Sequence, residues 1–168
     1  VGGLELIKVN ADDTKERIPN TTFEIRRMDD ALVDTVTTDK NGRVFLALEN
    51  GSYYAVETES AEGFKLDDTP HYFEVKNGET TVLQVENTPV SAILIHKTDS
   101  TTGEGIYGAS FLLYDSANTP IGQYTSDDRG YVLIEGLEAG RYYLRELENE
   151  GYVPDTEKKT VYVESGET

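Results

Sequence analysis

Short stretches of alternating apolar and polar residues recur along the whole chain. In LELIKVN, residues 4–10, alternate side chains of a strand point to opposite faces, so Leu4, Leu6 and Lys8 share one face. In the first half the alternation predicts strands near residues 4–10, 22–28, 32–37, 43–48, 52–58, 71–76 and 81–87. No segment keeps the 3.6-residue apolar period of an amphipathic helix for long. The chain is therefore predicted to be all-β.

Landmarks of the first half recur in the second half at a nearly constant offset. The pairs, each separated by 88 or 89 positions, are Lys8 and Lys97, Phe23 and Phe111, Asp39 and Asp127, Gly51 and Gly140, Glu57 and Glu146, and Gly63 and Gly151. A proline at position 89 stops one strand before the next apolar run begins. The repeat predicts two tandem β-sandwich domains, 1–89 and 90–168, because short strands and turn signals alternate at sandwich-like spacings.

Charge and composition remove several classes of function. The 168 residues include 15 basic and 32 acidic side chains, a net charge of -17, which would repel nucleic acid and anionic membrane surfaces. No run approaches the roughly 20 apolar residues of a spanning helix, so membrane insertion is not expected. The absence of cysteine from the sequence removes disulfides, thiol catalysis and thiolate metal sites.

Three polar residues of the first repeat fall on core-facing positions of predicted strands. Lys8 follows two leucines, Glu57 shares the apolar phase of YYAVET, and Asn87 shares that of TVLQVEN. In the second repeat Lys97 and Glu146 hold the same phases. One interpretation is that these are solvated residues at strand ends, with the lysine stems lying on apolar surface. The recurrence of the pattern in both repeats favours a buried, chemical role.

Burial would change the chemistry of such a group. Desolvation lowers the pKa of a lysine and raises that of a carboxyl, so a buried pair can exist as a neutral amine and a neutral acid. A neutral amine is a nucleophile, and a carboxyl can polarise an amide and carry protons. Held together, Lys8 could attack the side-chain carbonyl of Asn87 with Glu57 as catalyst and form an isopeptide bond. This would occur once per molecule, so no turnover enzyme is expected.

Several motifs together resemble Cna protein B-type domains, the prealbumin-like modules of surface adhesins and pilins in Gram-positive bacteria. In the first repeat the matching motifs are Lys8-Val9-Asn10, Phe23, Thr38 to Gly42, Leu48 to Glu57, Gly63-Phe64 and Gly78 to Asn87. In the second they are Lys97-Thr98-Asp99, Gly108 to Phe111, Asp127 to Gly130, Leu137 to Glu146 and Gly151-Tyr152. The resemblance implies a prealbumin-like fold and a Glu-assisted Lys-Asn bond between first and last strands. It also implies an extracellular location, with attachment to the cell wall through a parent protein.

The second repeat departs from this pattern at its end. The counterpart of Asn87 is expected near position 175, beyond Thr168, so Lys97 and Glu146 are expected to have neither an acceptor nor a closing strand. Two interpretations stand. The chain is an excerpt of a longer protein, or the open edge accepts a strand from another molecule, which Lys97 could capture covalently.

Other candidate sites are weaker. Residues 103–108 spell G-x-G-x-x-G, but a strand rather than a helix is expected to follow, so no nucleotide site is predicted. The two histidines are too few for a zinc site, and the acidic pairs leave calcium open without EF-hand spacing. The tyrosine pairs at 53–54 and 142–143 are attributed to core and cross-strand packing rather than to a sugar platform. No cofactor is expected.

The sequence therefore predicts a structural stalk segment of a surface protein, whose partners are neighbouring domains of that protein. The competing class is a module that binds a host or matrix ligand. Nothing in the loops, which show no convergent aromatic or charged cluster, separates the two.

Overall fold

A computed structural model describes residues 1–147 and 156–168, and within them all regular structure is β-strand. The chain divides into two compact units, Val1–Pro89 and Val90–Thr168. The strands of the first unit are β1 (Gly2–Asn10), β2 (Asp13–Arg17), β3 (Thr22–Arg27), β4 (Leu32–Thr37), β5 (Arg43–Leu48), β6 (Gly51–Glu59), β7 (His71–Val75) and β8 (Thr80–Asn87). Those of the second are β9 (Ser91–His96), β10 (Ser110–Tyr114), β11 (Pro120–Thr125), β12 (Tyr131–Leu137), β13 (Gly140–Glu146) and β14 (Lys159–Val163).

The first unit is a sandwich of two four-stranded sheets. In one sheet β8 runs parallel to β1 along its length, while β5 and then β2 pair with β1 in antiparallel fashion. The other sheet has the order β4-β3-β6-β7. Because the first and last strands of the unit are neighbours, residues far apart in sequence meet in a single sheet.

The core of the first unit lies between these sheets. It is formed by buried side chains of both, namely Leu4, Leu6, Phe23, Ile25, Val44, Leu48, Tyr53, Ala55, Phe73, Val75 and Val85. Leu4 and Leu6 on β1 are at most 1% exposed, which confirms the face predicted from the alternation. Burying each such side chain contributes about 1.5–3 kcal/mol, before the conformational entropy that opposes it.

The second unit repeats part of this plan. A four-stranded sheet has the order β11-β10-β13-β14, and β9 pairs with β12 in a two-stranded sheet. Its core holds Ile93, Ala109, Phe111, Leu113, Val132, Ile134, Leu137, Tyr142 and Val163. Among the described residues, β9 pairs with β12 alone, whereas its counterpart β1 has strands on both sides.

The all-β prediction is confirmed, and the seven strands predicted in the first unit are present. One strand was missed: β2 has the sequence DTKER, with every residue exposed, so it carries no apolar alternation. Val9 lies in phase with the partly exposed Glu5 but is itself 0% exposed. The end of β1 is covered by the segment after β2, where the Ile18 N–H donates to the Lys8 carbonyl at 2.9 Å. Nowhere in the described part of the chain is there a helix with the length and apolarity to cross a membrane.

Candidate functional site

Lys8, Asn87 and Glu57 meet inside the first unit because of strand pairing. Lys8 lies on β1 opposite Val85, and Asn10 lies opposite Asn87, so Lys8 and Asn87 sit two positions out of register on neighbouring parallel strands. Both side chains point inward, on the phases of Leu6 and Val85 respectively. Glu57 reaches them from β6 in the opposing sheet.

The three side chains are in direct contact. The Lys8 Nζ donates a hydrogen bond to the Asn87 Oδ1. The same Nζ lies 3.1 Å from the Glu57 Oε1. The Asn87 Nδ2 donates to both Glu57 oxygens, at 2.8 Å each. Amine, carboxamide and carboxyl therefore form a closed triangle, with the amine against the carbonyl and the carboxyl against the amide nitrogen.

Water is excluded from this triangle, since Lys8 is 0% exposed and Glu57 and Asn87 are 1% exposed. Burial lowers the pKa of the Lys8 amine below its ordinary value of 10.5, and the attraction of Glu57 opposes this shift without cancelling it. The Phe23 ring, whose centroid lies 5.7 Å from Nζ, contributes part of the apolar wall. The neutral, nucleophilic form of the amine is thus favoured relative to a lysine in water.

Backbone contacts fix the lysine and the carboxyl. The Lys8 N–H donates to the Gly42 carbonyl at 2.8 Å, and the Asp67 N–H donates to the Glu57 Oε2 at 3.1 Å. A Cβ on Gly42, which has φ of 70°, would lie 2.9 Å from the Lys8 carbonyl oxygen. Only glycine fits there without strain, so the turn before β5 packs closely against the strand that carries Lys8.

The second unit brings together the matching lysine and glutamate. The Lys97 Nζ donates to the Glu146 Oε2 at 3.1 Å. Its backbone repeats the contact seen for Lys8, because the Lys97 N–H donates to the Gly130 carbonyl at 2.8 Å. The site is more open, since the Lys97 side chain is 28% exposed and a cavity of about 310 Å³ adjoins both groups. The Glu146 Oε1 is buried and has no hydrogen-bond partner within the described residues.

The sequence indicated the three polar groups but not their surroundings. Phe23 was noted as a repeat landmark and as a family motif, but its place beside the amine depends on packing between sheets. The Asp67 N–H left no sequence signal, because a main-chain donor is independent of residue type. The described residues contain no cluster of three or more histidine or acidic side chains suited to a metal ion.

Among known proteins, this chain is moderately similar to part of a much longer one. The chain is 27% identical over 166 residues to the serine-aspartate repeat-containing protein F of Staphylococcus epidermidis, an alignment that covers 85% of this chain and 10% of that protein. It therefore spans about a tenth of the curated relative that it matches.

Solved structures match over nearly the whole chain. The Bacillus anthracis TIE protein aligns with a TM-score of 0.55 and 27% identity, covering 99% of this chain and 32% of that one. A streptococcal ancillary pilin aligns with a TM-score of 0.52 and 25% identity, covering 96% of this chain and 58% of that one.

A family model decides the classification. The model described as the SpaA prealbumin-like fold domain matches twice, at residues 2–89 and 91–168. These matches confirm the resemblance that the paired motifs indicated, and they account for the internal repeat and the sandwich architecture. The chain belongs to the SpaA family of prealbumin-like fold domains and carries two copies of the domain.

Proposed function

We propose that the first unit closes a covalent bond between Lys8 and Asn87, catalysed by Glu57, and serves as a self-locked structural segment of a Gram-positive surface protein. The observation that carries the proposal is the buried triangle, in which the Lys8 amine touches the Asn87 carbonyl and both groups touch Glu57. Even when such groups pair with one another, burying them together is often no more stable than apolar side chains would be, so a chemical role accounts for them better than stability does.

The proposed reaction balances within the triangle. The lone pair of the neutral Lys8 Nζ attacks the Asn87 Cγ, and a new C–N bond forms. Glu57 accepts a proton from Nζ and delivers one to the Asn87 Nδ2, to which it is already hydrogen-bonded at 2.8 Å. The C–Nδ2 bond then breaks, ammonia leaves, and the carboxyl returns to its starting state. The product is a secondary amide that joins the two side chains.

The bond would act mainly on stability. Lys8 and Asn87 are 79 positions apart, so the bond closes a loop of almost the whole unit. By analogy with a disulfide, such closure removes unfolded-state entropy worth roughly 4–5 kcal/mol. Because β1 and β8 are the outermost strands in sequence, tension applied at the two ends of the unit would pass through the bond. A stalk between a cell wall and a distant ligand needs this property.

The setting proposed for the chain follows from its family and its relatives. We place it outside the cell, attached to the wall through its parent protein, with neighbouring domains of that protein as its contacts. A role in binding a host matrix protein is the alternative, and a saturable interaction with such a protein would favour it.

Intact mass tests the cross-link. The purified chain is expected to weigh one ammonia less than its sequence, and Lys8→Met and Asn87→Ala should each restore the full mass. Lys97→Met, which removes the matching amine of the second unit, should keep the deficit. A folded parent chain with unaltered mass would overturn the proposal, and circular dichroism establishes that the chain is folded.

A second candidate function concerns the second unit. It is favoured by the buried Glu146 Oε1, which has no hydrogen-bond partner in the part of the chain that the structure describes. In the first unit both oxygens of the equivalent carboxyl, Glu57, accept hydrogen bonds from the Asn87 Nδ2. We infer that the cavity beside Lys97 and Glu146 accepts a strand that carries a side-chain amide. Main-chain pairing along β9 would align the strand, and Lys97 would then capture its amide.

A peptide with the sequence of residues 78–90 tests this inference, because it contains the closing strand of the first unit. Mixed with the chain, it should give an adduct whose mass is the sum of the two less one ammonia. Lys97→Met should abolish the adduct, whereas Lys40→Gln, on an exposed turn of the first unit, should not. Absence of an adduct after prolonged incubation would refute the inference.

A further inference from the structure

One face of the second unit has a charge opposite to that of the molecule. In the sheet β11-β10-β13-β14, residues such as Phe111, Tyr142 and Val163 face the core. The alternate positions form the outer face of the sheet, and the ones that matter here are Tyr114, Arg141, Tyr143, Arg145, Thr160 and Tyr162. The four strands contain a single acidic residue, Glu146, and it faces inward.

Cations and aromatic rings alternate on this face. The Arg141 guanidinium lies 5.5 Å from the Tyr143 ring centroid, and the Arg145 guanidinium lies 6.0 Å from that of Tyr114. Lys158, just before β14, places its Nζ 3.9 Å from the same Tyr114 ring. Lys158 also donates to the Asn118 Oδ1 at 2.6 Å, which leaves its ammonium group two further N–H donors for an anion. A guanidinium that stacks on a ring keeps its in-plane N–H groups for hydrogen bonds to an anion.

The cations are concentrated here rather than spread evenly. Residues 91–168 contain six basic and fourteen acidic side chains, and three of those six lie on this one face. Asp115, which directly follows Tyr114 in the turn after β10, accepts the N–H groups of Ala117 and Thr119 at 3.0 and 2.8 Å. Three cations gathered on one sheet face attract an anion there although the unit as a whole is negative.

The first unit provides an internal comparison, because its equivalent face lacks this character. Ser52 and Val56 stand where the second unit has Arg141 and Arg145. The one outward cation there, Arg26, pairs with Glu24 at 2.7 Å. The two repeats share the fold, so the fold does not require the cationic face of the second unit.

We propose that the outer face of this sheet binds an anionic polysaccharide, such as a sulfated or uronic-acid glycan. Tyr162 is 76% exposed and Tyr143 is partly exposed, so both present rings against which the C–H faces of sugars can stack. A shallow cleft beside them is lined by Asn118, Tyr143, Lys158 and Thr160, which offer amide, hydroxyl and ammonium groups to sugar hydroxyls and acid groups. A flat strip of this kind fits an extended polymer.

An acidic peptide is the competing ligand, and the geometry favours it less. Peptides are held either by adding a strand to an open edge or by anchoring side chains in pockets. The main chain of β13 is already paired on both sides, by β10 and β14, and the cleft is open and polar rather than a deep apolar pocket. A surface that offers charged groups and exposed rings, but no deep pocket for an anchoring side chain, suits a glycan better than a peptide.

Binding of a heparin-derived oligosaccharide to the full chain tests the proposal by calorimetry. Salt of about 0.1 M is suitable, because a Debye length of about 10 Å screens the overall negative charge more than it screens direct contacts. The variant R141S/R145V introduces the residues of the first unit at these positions. It is expected to weaken binding about tenfold, because two exposed cation–anion contacts to the ligand are lost. The control K40Q/K76Q makes the same change in net charge on the first unit and should bind like the parent.

The outcomes separate the possibilities. Binding that weakens in R141S/R145V and persists in K40Q/K76Q and in Lys8→Met supports the proposal and shows that it is independent of the cross-link. Hyaluronate, titrated in the same way, represents an unsulfated uronic-acid glycan. Lack of binding to both glycans overturns the proposal, as does equal weakening of binding by the two double variants. Tighter binding of polyglutamate than of either glycan would also overturn it and assign the face to an acidic protein.

Discussion

At the scale of single residues, the first unit is organised around a polar cluster that a stable core would normally avoid. Each buried charge costs several kcal/mol unless it is paired, and a buried ion pair is often no more stable than apolar side chains of the same shape. Lys8, Glu57 and Asn87 offset this cost by satisfying one another. Their presence is therefore explained better by chemistry than by stability before the bond forms.

Glu57→Gln isolates the proton carrier. Glutamine keeps the shape of the side chain but cannot shuttle protons, so the chain should fold while ammonia loss slows by roughly 10²–10⁴-fold. Intact mass followed over days measures the rate. Glu59→Gln, on an exposed position of the same strand, is the matched control and should react like the parent. A normal rate in Glu57→Gln would show that the carboxyl is not the catalyst.

The pH dependence of the reaction follows from the lowered pKa of Lys8. The neutral amine reacts, so the rate should rise with pH up to the pKa of the folded state and then level off. Because burial places that pKa below 10.5, the plateau should begin below pH 10.5. The measurement is the mass change after an unreacted synthetic chain is refolded at a series of pH values. A rate still rising tenfold per pH unit near 10.5 would contradict the buried, desolvated amine.

At the scale of strands and turns, alternation predicted the elements well where one face was apolar. It failed for β2, whose residues are all exposed, and it could not reveal that β8 pairs with β1 in parallel. The same limit applied to the site. The sequence predicted the strand faces of Lys8, Glu57 and Asn87, but the contacts of Phe23 and Asp67 with them depend on how the two sheets stack. Tyr143 lies on the outer face of its sheet opposite Tyr114, which agrees with the cross-strand packing expected for one tyrosine of each pair.

Crowding around Gly42, in the turn before β5, predicts how a substitution there changes stability. Gly42→Ala should destabilise the first unit by about 1–3 kcal/mol, since its Cβ would lie 2.8 Å from the Ile18 N and 2.9 Å from the Lys8 carbonyl oxygen. Gly63→Ala is the matched control, because Gly63 also has positive φ but its Cβ would meet nothing within 4 Å. Denaturant unfolding in an Asn87→Ala background measures both. Equal losses would mean that crowding near Lys8 is unimportant.

At the scale of the whole molecule, one unit is proposed to be locked and the other open. Asn87→Ala should remove roughly 4–5 kcal/mol of loop-closure stability from the first unit. For a domain of this size each kcal/mol shifts Tm by about 4–8 °C, so its transition should fall by roughly 16–40 °C. Calorimetry should show the transition of the second unit unmoved, which serves as the internal control. A shift of only a few degrees would argue against a cross-linked parent.

The central claim is the bond between Lys8 and Asn87, and a tryptic digest tests it most directly. Trypsin cleaves after free lysine and arginine, so a modified Lys8 should be skipped. Tandem mass spectrometry should then find one branched peptide, residues 1–15 joined to residues 77–97, at the summed mass less one ammonia. Recovery of a separate peptide 1–8, cleaved after Lys8, together with an unmodified peptide 77–97 would contradict the account.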